Sequence, residues 1–321
     1  MIHRLFRNYL ILLLGLLILA GCSGVNDRDQ AQKESIGKKI VVYTTIFPLY
    51  DFTRNVAGDR VEVVNLLPPG ADPHHWEPEP ADLVRINQAD AFIYCGAGLE
   101  SWLENVLKNT DRNRITIVDS SKGIPLLQGV EGSDLEENLN DQHDHSGIDP
   151  HIWLSPANAA MMVDNIREGM VKADPANKEL YLANAQSYKE KLANLDNEYK
   201  ISLSRAKVKQ LVVSHAAFGY LTKRYGLEQV AIRGFNAEIE PTPARLAEIV
   251  ETVKKQKIRY IFSEALVSPK VSETLAAETG AKILLLNPVG ELTKKELSEG
   301  KSYLSIMKEN LTNIKIACEV E

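Results

Sequence analysis

The chain has 321 residues, a length that at roughly 150 residues per domain suggests two domains. With 44% hydrophobic and 25% charged residues its composition is globular, which excludes a disordered or collagen-like chain. The 37 Lys and Arg against 43 Asp and Glu give a net charge of −6, so no basic excess exists to neutralise phosphates and nucleic acid is excluded as the main partner. The three cysteines, Cys22, Cys95 and Cys318, are too few for a disulfide scaffold or a cysteine-rich zinc module.

The N-terminus carries Arg4 and Arg7 ahead of an apolar run from Tyr9 to Ala20. At about 12 residues the run falls short of the roughly 20 needed for a comfortable membrane span and suits a secretory signal peptide. It ends in Leu19-Ala20-Gly21-Cys22, small residues before a single cysteine. This resembles a bacterial lipobox, which makes residues 1–21 a lipoprotein signal peptide and Cys22 a lipidated mature N-terminus. Residues 22–39, rich in Gln, Lys, Asp and Ser, then form a flexible tether. The protein is expected to work outside the cytoplasm, held to the membrane by lipid.

From residue 40 onward, short β-branched runs alternate with amphipathic helical patterns, the signature of βα units around a mainly parallel sheet. Strands are predicted at Ile40–Thr45, Val61–Leu67, Ala91–Tyr94 and Ile115–Val118, with helical patterns at Pro80–Ala89 and Ser101–Lys108. A second set of strands falls at Gln210–Ser214, Gln229–Ile232, Arg259–Phe262 and Lys282–Leu286. Helices near Ala216–Tyr225, Pro243–Gln256, Lys270–Thr279 and Ser302–Cys318 alternate with them. The fold class is therefore α/β, with two small doubly wound lobes at 40–176 and 206–321. Between them Tyr181, Ala185, Tyr188, Leu192, Leu195 and Tyr199 recur at steps of four and three, with no Gly or Pro from Asn177 to Arg205. That is one linker helix over 177–205, roughly 42 Å long and stiff enough to limit hinge motion. Cys95 reads as a small buried hydrophobe, and its pairing with Cys318 is disfavoured because the two fall in different lobes. The segment 131–147 is an acidic loop that carries His143 and His145.

Three of the seven histidines stand at strand ends or helix starts. His74 closes Pro69-Gly70-Ala71-Asp72-Pro73-His74 after the second strand, His151 precedes the helix that begins near Ala157, and His215 ends Leu211-Val212-Val213-Ser214. His75 neighbours His74 and is expected to point the other way. In open α/β sheets ligands bind outside the carboxyl ends of the strands, so two histidines of the first lobe and one of the second face a common cleft. Three imidazoles suit a borderline divalent ion, with Zn(2+) the default occupant. In the two Asp-Pro-His tripeptides the Asp is placed to accept a hydrogen bond from an imidazole or a loop amide.

With these residues assembled, the chain resembles the zinc- and manganese-binding solute-binding proteins of bacterial ABC importers. The likeness covers essentially the whole length after the leader. It rests on the lipobox at Cys22, Thr44-Thr45-Ile46-Phe47-Pro48-Leu49, Gly70 to His74 with Glu77 and Pro78, Gly96-Ala97-Gly98-Leu99-Glu100-Ser101-Trp102, Asp149 to Pro156, and Ser214-His215-Ala216-Ala217-Phe218. The resemblance implies two lobes joined by one long helix with the metal between them. It also implies His74, His151 and His215 as ligands, an ABC permease as partner, and a monomer that is not an enzyme. Relatives usually supply a fourth ligand, a carboxylate, from the loop after the last strand. Here that loop reads Leu286-Asn287-Pro288-Val289-Gly290-Glu291-Leu292-Thr293, with Asn287 where an Asp is expected. In some zinc-binding relatives a Glu occupies what corresponds to Gly290. Glu291, water, or an indirect role for Asn287 remain open; Glu264, after the preceding strand, is a weaker candidate for the ligand and is expected to pack or cap locally.

The third imidazole and the His-bearing acidic loop favour zinc over manganese, which prefers oxygen ligands. Some members of the family have been named as adhesins, a role that leaves no residue signature. The competing class is a secreted zinc hydrolase, but His-Glu-x-x-His and Gly-x-Ser-x-Gly are both absent from the sequence.

Overall fold

The computed structural model describes residues 39–128 and 147–320. The segments expected to form the signal peptide, the lipobox at Cys22 and the tether up to residue 38, and the loop residues His143 and His145, lie outside the described residues.

Two four-stranded parallel sheets organise the rest. In the first, β1 (Ile40–Thr44), β2 (Val61–Asn65), β3 (Ala91–Tyr94) and β4 (Thr116–Asp119) lie in the order β2-β1-β3-β4. In the second, β5 (Gln210–His215), β6 (Glu228–Arg233), β7 (Tyr260–Ser263) and β8 (Lys282–Leu285) lie in the order β6-β5-β7-β8. Each sheet winds both ways from its first strand, so each has a topological switch point between its first and third strands. The helices of the first lobe are α1 (Phe47–Ala57), α2 (Pro80–Gln88), α3 (Leu103–Lys108) and α4 (Pro156–Ala173). The linker α5 (Lys178–Leu203) follows, then α6 (Gly219–Tyr225), α7 (Pro243–Gln256), α8 (Lys270–Thr279), α9 (Lys294–Ser298) and α10 (Tyr303–Ala317).

Helix α1 has no counterpart among the predicted helices. Pro48 supplies the fixed φ that suits a first helical turn, and Phe47, Leu49, Phe52 and Val56 are buried along one side. Helix α4 starts at Ser155, whose hydroxyl accepts from the amide of Asn158. Gly169 lets α4 approach β4 closely, since a Cβ there would stand 2.2 Å from Val118.

The linker helix is continuous over 26 residues, about 39 Å at the standard rise. Its buried stripe is Tyr181, Ala185, Tyr188, Leu192, Leu195, Tyr199 and Leu203. Polar anchors tie it to both lobes. The Tyr188 hydroxyl donates to Asp51 on α1 at 2.8 Å, and the Tyr199 hydroxyl donates to the carbonyl of Met307 on α10 at 2.6 Å. One apolar core runs through both lobes along this helix, and two smaller clusters cover the outer faces of the sheets. Cys95 and Cys318 are both buried and both free thiols.

Candidate metal centre

A cavity of about 470 Å³ lies between the lobes at the carboxyl ends of the strands. His74 reaches it from the loop after β2, His151 from the turn before α4, and His215 from the last residue of β5. Their ring nitrogens form a cluster with every donor within 4.8 Å of the others. Nε2 of His74 and Nε2 of His151 are 3.2 Å apart. That matches the edge of a tetrahedron with metal–nitrogen bonds of about 2.0–2.1 Å, which is roughly 3.4 Å.

Two of the rings are set by carboxylates. His151 Nδ1 donates to Asp149 Oδ1 at 2.9 Å, and the same oxygen accepts the His151 amide at 2.9 Å. His215 Nδ1 donates to Glu264 Oε1 at 2.6 Å. With the proton on Nδ1 in each case, the Nε2 lone pair is left for a metal. Asp72, in the other Asp-Pro-His tripeptide, accepts the amide of His74 at 2.7 Å and so fixes the loop.

Glu264 is more than a packing residue. It follows β7 directly, and His215 ends β5, the strand paired with β7. The pair therefore straddles the switch point of the second sheet, and neither partner is exposed. The sequence signal was a carboxylate just beyond a strand end, readable only once β5 and β7 were known to be neighbours.

Electrostatics follow from burial. Desolvation, aided by the nearby His215, pushes His151 well below the ordinary histidine range. At His215 desolvation acts in the same direction, but Glu264 outweighs it, with help from Asp72 and Asp149, and the pKa is raised. Burial lifts Asp149 to about 7 despite the His151 amide bond and the field of His215.

The loop after β8 turns its polar groups inward on itself. Asn287 Oδ1 accepts the Val289 amide at 2.7 Å, and Asn287 Nδ2 donates to Glu296 at 2.8 Å. Asn310 pairs with both the amide and the carbonyl of Asn287. Val289 is held at φ 60, a left-handed conformation costly for a β-branched residue. Asn287 thus builds the turn that carries this strain. Glu291 lines the cavity, yet Oε1 accepts the Leu292 amide at 2.9 Å and Oε2 accepts Asn65 Nδ2 at 2.9 Å. Among the described residues it is not a member of the three-histidine cluster. Burial raises it to about 7, against the pull of those two donors.

Further bonds join the lobes around the cavity. Trp153 Nε1 donates to the carbonyl of Pro288 at 2.7 Å, the Phe47 amide to Gly290 at 3.2 Å, and the Tyr303 hydroxyl to Trp153 at 2.6 Å. His75 turns outward to Asn236, as expected from its neighbour's role.

Fold and site define a two-lobed α/β binding protein with an imidazole cluster in the cleft between lobes. Comparison with known proteins makes the class specific. Residues 42–317 match the model of the ZnuA family, described as zinc-uptake complex component A, periplasmic, and the chain belongs to that family. It is 40% identical over 299 residues to the high-affinity zinc uptake system protein ZnuA of Bacillus subtilis, covering 93% of each chain. It is 39% identical over 305 residues to the zinc-binding lipoprotein AdcA of Streptococcus pneumoniae. That match covers 95% of this chain but 59% of the longer AdcA. The crystal structure of the Zn(II)-bound ZnuA-like domain of that AdcA superposes with a TM-score of 0.76 at 38% identity, over 88% of this chain and 100% of that domain.

Proposed function

We propose that this protein captures Zn(2+) outside the cytoplasm and delivers it to the membrane permease of an ABC importer, with zinc as cargo and no catalytic step. His74, His151 and His215 hold the ion through Nε2, and water fills the fourth position. The observation that carries this reading is the pair of carboxylates, Asp149 and Glu264, that fix the His151 and His215 tautomers with Nε2 turned to a shared cavity. Three imidazoles favour zinc over manganese. The zinc-uptake names of the relatives support the same choice. Transport is favoured over hydrolysis because the carboxylates beside the imidazoles are already engaged, Asp149 and Glu264 with the rings and Glu291 with Asn65 and a loop amide. The mature protein is a monomer, anchored by lipid on Cys22, in keeping with the lipoprotein name of AdcA.

Metal analysis of the purified mature protein, followed by competitive titration with Zn(2+) and Mn(2+), tests the reading. Zinc is expected to bind tightly in one equivalent and to displace manganese. Preference for manganese would overturn the cargo assignment. Recovery of Cys22→Ala protein from the soluble fraction, with wild type in the membrane, is expected for the anchor.

A further inference from the structure

A second group of metal-capable side chains stands at the mouth of the cavity. Asp72 and His75 come from the loop after β2 in the first lobe, and Glu238 from the loop after β6 in the second. His75 Nδ1 lies 3.5 Å from Asp72 Oδ2 and 3.6 Å from Glu238 Oε2, and the donors of all three fall within 4.8 Å of one another. These spacings are too long for good hydrogen bonds. They equal, within a few tenths of an ångström, the roughly 3.4 Å edge of a tetrahedral zinc or cobalt site. Two carboxylates from opposite lobes repel each other across this gap, and an ion between them removes that cost. We propose that Asp72, His75 and Glu238 form a second, weaker divalent-cation site that bridges the lobes at the rim of the cleft. Imidazole with two carboxylates suits the same ion as the buried cluster.

The rim site touches the buried one through Asp72. One of its oxygens faces the rim, while the other accepts the His74 amide at 2.7 Å. An ion at the rim therefore stands one residue from His74 of the inner cluster, beside the cavity that Asp72 and Glu238 line.

Asn236 makes the proposal unusually testable. Its Oδ1 accepts the Glu238 amide at 2.9 Å, so its Nδ2 faces His75 Nε2 at 2.7 Å. That arrangement leaves the His75 proton on Nδ1, where a metal must sit. Loading the rim site moves the proton to Nε2, and the Asn236 amide must turn over to accept it, releasing the exposed Glu238 amide to water. In Asn236→Asp a carboxylate accepts from both Nε2–H and the Glu238 amide, so this cost disappears.

The test is zinc titration by calorimetry on the mature protein carrying His143→Ala and His145→Ala, so that the acidic loop contributes nothing. Two equivalents are expected, one tight and one weak. Glu238→Gln and His75→Ala should each abolish the weak equivalent while leaving the tight one within about threefold. Asn236→Asp should tighten the weak equivalent by about threefold to tenfold, the factor that one net hydrogen bond is worth. His215→Ala should weaken the tight equivalent at least about tenfold and leave the weak one unchanged, so failure of the inner cluster and failure of the rim site read differently. Absence of a second equivalent up to the solubility limit of zinc overturns the proposal. So does a second equivalent that Glu238→Gln and His75→Ala leave unchanged.

Discussion

Glu264 never reaches the ion in the proposed arrangement, yet its charge should set both the strength and the pH dependence of zinc binding. Its carboxylate accepts from His215 Nδ1 at 2.6 Å, with both side chains nearly inaccessible to water. A hydrogen bond to a charged group in such a setting contributes about 1.5–3 kcal/mol. Carboxylates that orient a metal-bound histidine are typically worth about 10- to 100-fold in affinity. In Glu264→Gln the amide oxygen still accepts from Nδ1, so the tautomer survives and only the charge is lost. The expected loss at about pH 8 is therefore near the lower bound, about tenfold, and Glu264→Ala should lose more. The pH dependence runs the other way. Burial alone depresses the His215 pKa, and Glu264 reverses that and raises it. In wild type a proton competes for His215 Nε2 from above the ordinary histidine value downward. Without the charge the pKa falls, so at about pH 6 the variant meets less competition and part of its loss is recovered. Competition against a chromophoric chelator across this range, corrected for the chelator's own protonation, measures the ratio. A loss below about threefold at about pH 8, or one constant across the range, would refute the assigned role.

Replacing His74, His151 or His215 by Ala should each weaken zinc binding at least about tenfold, or about 1.4 kcal/mol, in the same competition assay, whereas His143→Ala should change it little. Glu291→Gln should leave affinity within about threefold if water fills the fourth position; a loss beyond about tenfold would place Glu291 on the ion. On α1, Asp51 is raised to about 6 by burial, against the Tyr188 bond and Arg54, so its ionisation opposes folding as pH climbs from its unfolded value to about 6. Asp51→Asn, whose side-chain oxygen can still accept from Tyr188, should therefore gain stability relative to wild type above neutrality by at most about 3 kcal/mol, less for its partly exposed side. In chemical denaturation the gain should shrink as pH falls and vanish below the unfolded-state value of 3.8. Scattering with and without zinc should show little lobe rotation, because α5 is unbroken and the Trp153, Phe47 and Tyr303 bonds cross between lobes. A rotation of tens of degrees would contradict the stiff connector.

The two parallel-sheet lobes, the long helix and the three histidines that gather at the cleft were all legible in the sequence. These features are local or periodic. A β-branched run between turn residues forms a strand, a stripe at steps of three and four forms a helix, and a residue at a strand end faces the ligand side of a parallel sheet. Asp149 was legible as a partner of His151 because the two stand only two residues apart in sequence. Glu264 was not, since its contact with His215 exists only because β7 lies beside β5. The same reason hid the roles of Asn287 and Glu291. Asn287 had the right position for a ligand, but tertiary packing against Asn310 and Glu296 commits it to a strained turn. Glu291 meets Asn65 from a strand 226 residues away in sequence. The rim cluster needs the loops after β2 and β6 brought together across the cleft, a pairing of two surfaces that each lobe's own pattern leaves unspecified. Periodicity reports what each segment buries, and only packing decides which distant carboxylate or amide reaches a given imidazole.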